Sequence, residues 1–213
     1  MRKRLIILLP LLITAPLIAQ GGPPPSPPGA LDVSRVSAGS YSVESTHTQI
    51  QWTVNHFGFN DYFGIFGNPT GTMTLDPAKP NDAKLSIDIP VSELATSSAK
   101  LTEHMLRPGK DGKAADFFDI TKHPSAKFVS TSVNATGTEA KIVGNLTFNG
   151  VTKPVTLNAK FTGAGANPFN KKATVGFQAS TTIRRSDWGM TYGIPLVTDT
   201  VRLKISVAFE KVV

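Results

Sequence analysis

The side chains able to do chemistry are four histidines, fifteen carboxylates and many hydroxyls, with no cysteine. Acid–base work would fall to His56 or His104, metal binding to His47 with His56, and anion recognition to the run Arg184-Arg185-Ser186-Asp187-Trp188-Gly189-Met190. None of these assembles into a catalytic signature. There is no G-x-S-x-G elbow, no H-E-x-x-H pair and no Walker loop, and Gly163-Ala164-Gly165 lacks the third glycine and the acidic residue of a dinucleotide fingerprint. The histidines lack the i, i+4 or i, i+2 spacing that places two ligands on one face of a helix or strand. Asn134-Ala-Thr and Asn145-Leu-Thr match a glycosylation pattern that short sequences meet by chance. The arginine cluster joins bidentate donors, a carboxylate and a large aromatic, a set that serves either a salt-bridged strand end or recognition of a phosphate or carboxylate.

Absence of cysteine excludes disulfides, thiolate metal sites, cysteine nucleophiles and a lipid-modified cysteine anchor. The formal charge of +7 points towards nucleic acid until the N-terminus is set apart. Arg2, Lys3 and Arg4 precede an apolar run from Leu5 to Ile18, and Ala19 is small. Residues 1–19 therefore read as a secretory signal peptide, too short to span a bilayer comfortably. Leu17 is a poor residue two positions before the cut, so a retained anchor is the alternative. Removing the three charges leaves 19 basic and 15 acidic residues, or +4, with no basic stripe interleaved with aromatics; no nucleic-acid partner is expected. Residues 20–39, crowded with Pro and Gly, read as an extended linker.

From residue 40 to 213 the apolar residues recur with period two. Ile50, Trp52, Val54 and His56 share one face; so do Leu85, Ile87 and Ile89; Ile142, Gly144, Leu146 and Phe148; Val155, Leu157, Ala159 and Phe161; Val175, Phe177, Ala179 and Ile183; and Val201 to Phe209. Such alternation marks strands with one dry face, and antiparallel pairing follows. Asn149-Gly150 supplies a hairpin turn with positive φ at both positions. Shorter stretches at Tyr41–Val43, Gly71–Leu75 and Ala126–Val133 bring the strand count to nine. Leu94 to Met105 has helical composition, and Asp116-Phe117-Phe118-Asp119 suggests a further helical turn. The fold class is all-β, a sandwich or closed barrel with a short helical insertion. Phe57, Phe59, Phe63 and Phe66, interspersed with Gly58, Gly64 and Gly67, need an apolar covering, from the barrel end or from a lipid held inside. His56 points inward, where it needs a hydrogen-bond partner or a ligand's polar end.

Taken in order, Tyr41-Ser42, His47-Thr48, Val54-Asn55-His56-Phe57-Gly58, Gly64-Ile65-Phe66-Gly67, Glu103-His104-Met105-Leu106, Asp116-Phe117-Phe118-Asp119, His123-Pro124, Phe128-Val129-Ser130-Thr131, Gly144-Asn145-Leu146-Thr147, Gly150-Val151-Thr152-Lys153-Pro154-Val155 and Arg185-Ser186-Asp187-Trp188-Gly189-Met190 resemble the YceI-like family across nearly all of Tyr41 to Val213. The resemblance implies a lipocalin-like extended antiparallel barrel of about eight strands, exported to the periplasm, binding and not catalysing. Its implied partner is a polyisoprenoid or other long-chain amphiphile, a quinone-type lipid included, with transient membrane contact and no cofactor in the catalytic sense. Departures from the family pattern are Thr48 for Ser, His123 for an aromatic, and the insertion Pro108 to Lys113, beside one expected cavity entrance.

The expected cavity wall is Trp52, Val54, Phe59, Phe66, Ile87, Met105, Phe117, Leu146, Leu157, Phe177, Ile183 and Trp188, with His56 and Arg185 as polar anchors. A small hydrolase or isomerase using His56 or His104 is the enzymatic rival; a ligand-free structural or stress-protective barrel is the third reading. An unpaired final strand, Val201 to Phe209, would favour a homodimer.

Overall fold

The computed structural model of the chain describes residues 26–212; the expected signal peptide at 1–19 and residues 20–25 of the expected linker lie outside them. Among the described residues, eleven strands and one α-helix follow in order: β1 Gly39–Val43, β2 Gln49–His56, β3 Asn60–Phe66, β4 Thr70–Leu75, β5 Lys84–Pro90, β6 Leu94–Thr96, α1 Ala99–Leu106, β7 Ser125–Thr136, β8 Glu139–Phe148, β9 Val151–Ala166, β10 Ala173–Arg184 and β11 Thr200–Lys211. All pairings are antiparallel, and β1 meets both β4 and β11, which closes the sheet into a barrel.

Eleven strands make eight staves, because three staves are interrupted. β1 and β2 pair with successive parts of the same edge of β11: Val43 faces Phe209, and after a break Gln49 faces Ser206. β3 and β4 continue one another across Gly67–Pro69, as β5 and β6 do across a 3-10 turn at Val91–Glu93. At the first break Thr48, 2% exposed, donates from Oγ1 to the Glu44 carbonyl at 2.7 Å and accepts from the Ala208 amide at 3.3 Å, so the buried backbone keeps its partners. Breaks of this kind bend a stave and let one end of a barrel widen.

Nine of these strands coincide with the alternating stretches of the sequence. The two others replace different expectations. β3 forms where glycine and phenylalanine obscured the period, and Leu94–Thr96 is strand β6, leaving a helix only from Ala99, capped by Ser98 Oγ on the Leu101 amide at 3.3 Å. Asp116 and Phe117 form a bend and Phe118 and Asp119 are irregular, so no helical turn forms; the chain is pinned instead by the Phe118 amide on the Met105 carbonyl at 3.2 Å. Asn149 and Gly150 take φ of 48° and 78° in the β8–β9 turn, as their types require.

The core falls into two clusters along the barrel. One surrounds Trp52, Phe66, Phe118 and Phe128; the other surrounds Tyr41, Phe161, Val175 and Phe209. The final strand is paired on both edges, by β10 and by β1 with β2, so the condition that would have favoured a homodimer, an unpaired Val201 to Phe209, is not met. Before the barrel, Ala30 exchanges two backbone hydrogen bonds with Ala164, at 3.0 and 2.9 Å. Gly165 permits this approach, since a Cβ there would lie 2.1 Å from the Pro28 carbonyl.

Candidate functional site: a two-chambered apolar cavity

Inward residues leave space at both ends of the barrel. A wide chamber of about 620 Å³ lies beneath α1, and a narrow chamber of about 320 Å³ lies towards the N-terminal segment. Ile50, Ile89, Leu146 and Leu203 belong to both walls, so the chambers adjoin along the barrel axis. An eight-staved barrel has room for one small ligand when its inward side chains do not fill it, and the wide chamber is of ordinary ligand-pocket size.

The structure brings together most of the expected wall. Trp52, Val54, His56, Phe66, Met105, Phe117, Ile183 and Arg185 line the wide chamber. Ile87, Leu157 and Phe177 line the narrow one, and Leu146 lines both. Two expectations are corrected. Phe59 is 86% exposed, because Phe57 and Gly58 (φ 56° and 76°) form a tight turn that directs the next side chain outward. Trp188 is buried but lines neither chamber; its indole N–H donates to the Leu146 carbonyl at 3.2 Å, which holds the ring against the wall backbone.

Other wall residues were not among those expected to line the cavity. Phe118 and Phe148 join Phe66 in an aromatic trio, with ring centroids 5.3 to 6.3 Å apart. Tyr192 and Leu196 come from the loop after Trp188, and Val33 and Val36 reach the narrow chamber from the segment read as linker. Phe148 continues the Ile142–Leu146 alternation and was legible as inward; the loop and linker residues carry no periodic signal.

The polar groups of the wide chamber are few, and most are committed. Arg185 donates from Nε to the Thr198 carbonyl (3.0 Å), from Nη1 to those of Met190 (3.1 Å) and Tyr192 (2.8 Å), and from Nη2 to that of Val197 (3.0 Å). This buried guanidinium clamps the loop 190–198; burial pulls its pKa below the usual arginine value, and the Asp199 charge partly offsets that. Asp199 itself binds Arg184 Nε at 2.9 Å and the Ser186 amide at 2.8 Å. Burial pushes its carboxyl up, but the Ser186 and Arg184 hydrogen bonds outweigh that and hold it below the usual range. The arginine cluster thus takes the form of a hydrogen-bonded strand end.

His104 Nε2 lies 2.7 Å from Asp116 Oδ2, and its ring meets Phe117 and Tyr192 edge-on at 5.4 and 5.3 Å. Tyr62 Oη lies 3.2 Å from Ser97 Oγ. His56 is half-buried with its ring 3.9 Å from that of Phe57. Trp52 is different: its Nε1 is buried without a hydrogen-bond partner among the described residues. No group of three or more His, Asp or Glu side chains converges among the described residues.

At the open end, Phe57, Tyr192 and Leu196 line the chamber and are also 48%, 49% and 65% exposed. The Phe57 amide donates to the Leu196 carbonyl at 2.8 Å, joining the β2–β3 turn to the clamped loop. Together these residues form an apolar rim.

Comparison with known proteins agrees with this architecture. A UPF0312 protein of Pseudomonas putida is 37% identical over 180 residues, covering 83% of this chain and 89% of its own. The crystal structure of Burkholderia cenocepacia BcnA superposes with a TM-score of 0.66 at 23% identity, over 78% of this chain and 98% of that one. A polyisoprenoid binding domain from Saccharophagus degradans, implicated in plant cell wall breakdown, shares the fold with a TM-score of 0.56 at 13% identity, over 81% and 98%. The YceI-like domain model matches residues 41–209, so the chain belongs to the YceI-like family.

Proposed function

We propose that the chain is a periplasmic, non-catalytic carrier that holds a polyisoprenoid or similar long-chain amphiphile in its two chambers. The observation that carries this reading is the pair of adjoining apolar chambers, which a branched hydrocarbon chain fits better than a compact polar substrate. Each CH₂ moved from water into such a wall contributes about 0.8 kcal/mol, so a few isoprene units offset the entropy of association. The polyisoprenoid named for the Saccharophagus degradans domain belongs to the same ligand class. Export rests on the basic, apolar and small-residue sequence of positions 2–19.

Membrane contact belongs to the same proposal. The rim of Phe57, Tyr192 and Leu196 stands at the chamber mouth, with Phe59 beyond it, and Arg107, Lys110 and Lys113 are exposed just after α1. Aromatics with nearby cations suit an anionic lipid surface. The reading is tested by displacing a fluorescent apolar probe with isoprenols of increasing length. Affinity should rise with each added unit until both chambers are full and then level off; equal affinity for one unit and for long chains would overturn it.

A further inference from the structure

The narrow chamber reaches the surface at the end of the barrel away from the rim of Phe57, Tyr192 and Leu196. Pro77 and Pro80 from the β4–β5 connection line it and are exposed, as are Gly137, Thr138 and Glu139 at the β7–β8 turn. The barrel therefore has a second mouth, and the residues that lie across it come from the segment read as linker. Val33 and Val36 line the chamber there, and Val36 also packs on the cluster around Tyr41 and Phe209.

The sequence contains a seat for that segment. β9 outruns one neighbour: β8 begins at Glu139, opposite Lys160, whereas β9 continues to Ala166 and leaves an edge with no strand beside it. Ala30 takes that edge at Ala164 through its reciprocal pair of backbone hydrogen bonds. Glycines flank the contact. A Cβ on Gly163 would lie 3.3 Å from the Ala30 carbonyl oxygen, and one on Gly165 would lie 2.1 Å from that of Pro28. Neither glycine has positive φ, so close approach of the segment is what requires them. The run Gly163-Ala164-Gly165, which is no nucleotide fingerprint, is a docking track. At the segment's other end Tyr41 Oη donates to the Ser37 carbonyl, and Lys211 Nζ donates to Ser37 Oγ at 2.9 Å. Between these fixings the 3-10 turn Val33–Arg35, capped by Asp32 Oδ1 on the Ser34 amide at 2.9 Å, carries Val33 across the opening.

We infer that residues 28–37 form a strap over the second mouth, with Val33 and Val36 as the end wall on which the tail of a housed chain stops. They set the length of chain that the barrel holds. The strap lies ahead of residue 41, where the match to the YceI-like domain begins, so the stop is supplied by the chain's N-terminal segment and not by the shared barrel. The inference rests on the carrier reading above and adds a specificity determinant to it. With the strap lifted, the narrow chamber opens to water and the last units of a long chain lose their apolar cover. Short chains end before the second mouth and do not meet the strap.

The test measures affinity for isoprenols of increasing length, from geraniol upward, with the full mature chain and two variants. Gly165→Val puts a side chain where the Pro28 carbonyl sits, at a position that lines neither chamber. Val33→Asp leaves the seat intact and places a charge in the end wall, at a residue 52% exposed, where the fold tolerates it. The Ala164 amide, bonded to Ala30, should exchange its hydrogen faster in Gly165→Val and not in Val33→Asp; no change in either overturns the seat. Both variants should follow the wild-type rise for the shortest chains and level off about tenfold weaker, the burial of roughly two CH₂ groups. Loss of equal size at every length would make the segment a support of the fold and overturn the inference, as would curves unchanged at every length. In both cases the carrier reading stands. A wild type that takes up none of the series overturns both.

Discussion

The indole of Trp52 lies over Gly64, its partner across the β2–β3 pair, so closely that a Cβ on Gly64 would come within 2.5 Å of Trp52 Cζ2 and 2.7 Å of the Ala95 carbonyl. The glycine gives the ring its place in the chamber wall. Gly64→Ala should destabilise the fold by about 1–3 kcal/mol, the usual cost of overpacking. It should also turn Trp52 away from its present seat. Denaturant melts and the Trp52 indole resonance check both; an unchanged midpoint would show that the neighbouring backbone gives way freely.

Phe57 holds φ of 56° at the first position of the Phe57-Gly58 turn, a conformation that asparagine tolerates and a bulky aromatic does not. Phe57→Asn should therefore raise stability by about 0.5–1 kcal/mol, in line with relief of a strained residue. The same change should slow lipid transfer from anionic vesicles, because it removes one rim aromatic. Faster melting, or transfer at the wild-type rate, would contradict the rim's role.

Arg185 satisfies four carbonyls of the loop that forms part of the chamber mouth. A lysine presents a point charge in place of the planar fork and cannot reach all four. Arg185→Lys should lose about 3 kcal/mol, the scale of breaking a buried charged network. It should also raise hydrogen exchange across residues 190–198 more than elsewhere. Uniform exchange along the chain would argue against the clamp.

Glu210 is buried and accepts from Asn170 and Asn167 Nδ2, each at 2.8 Å, with Lys172 Nζ at 3.4 Å. The Asn170 hydrogen bond, against burial and with help from Asn167 and Lys172, holds its carboxyl below the ordinary value of 4.5. A depressed carboxylate stabilises the fold above its unfolded pKa and loses that contribution as pH falls through the folded one. Stability should be flat near neutrality and decline below about pH 4.5 as Glu210 and the similarly depressed Asp199 take up protons. Glu210→Gln should lower stability at pH 7 and flatten the acid limb. A parallel, unflattened acid limb would remove Glu210 from this account.

Much of the barrel was legible because alternation reports which face of a strand is dry. Trp52, Val54, Leu146, Leu157 and Ile183 all lie in chamber walls as the period placed them. Alternation fails where the chain turns: Phe59 sits just past a reversal, and Trp188 lies in a 3-10 turn beyond the last inward residue of β10. It also cannot report that Glu44–Thr48 breaks a stave, since the break is sealed by a Thr48 hydroxyl bonded across to β11. The unpaired donor of Trp52 is invisible to sequence for the same reason: it depends on which atoms from other strands come near.

The central claim is that the two chambers hold a lipid. Native mass spectrometry of the mature chain, purified gently from its own cell envelope, tests this most directly. The account predicts a reproducible mass excess that releases a polyisoprenoid or similar long-chain amphiphile on organic extraction; a homogeneous apo mass across repeated preparations would contradict it.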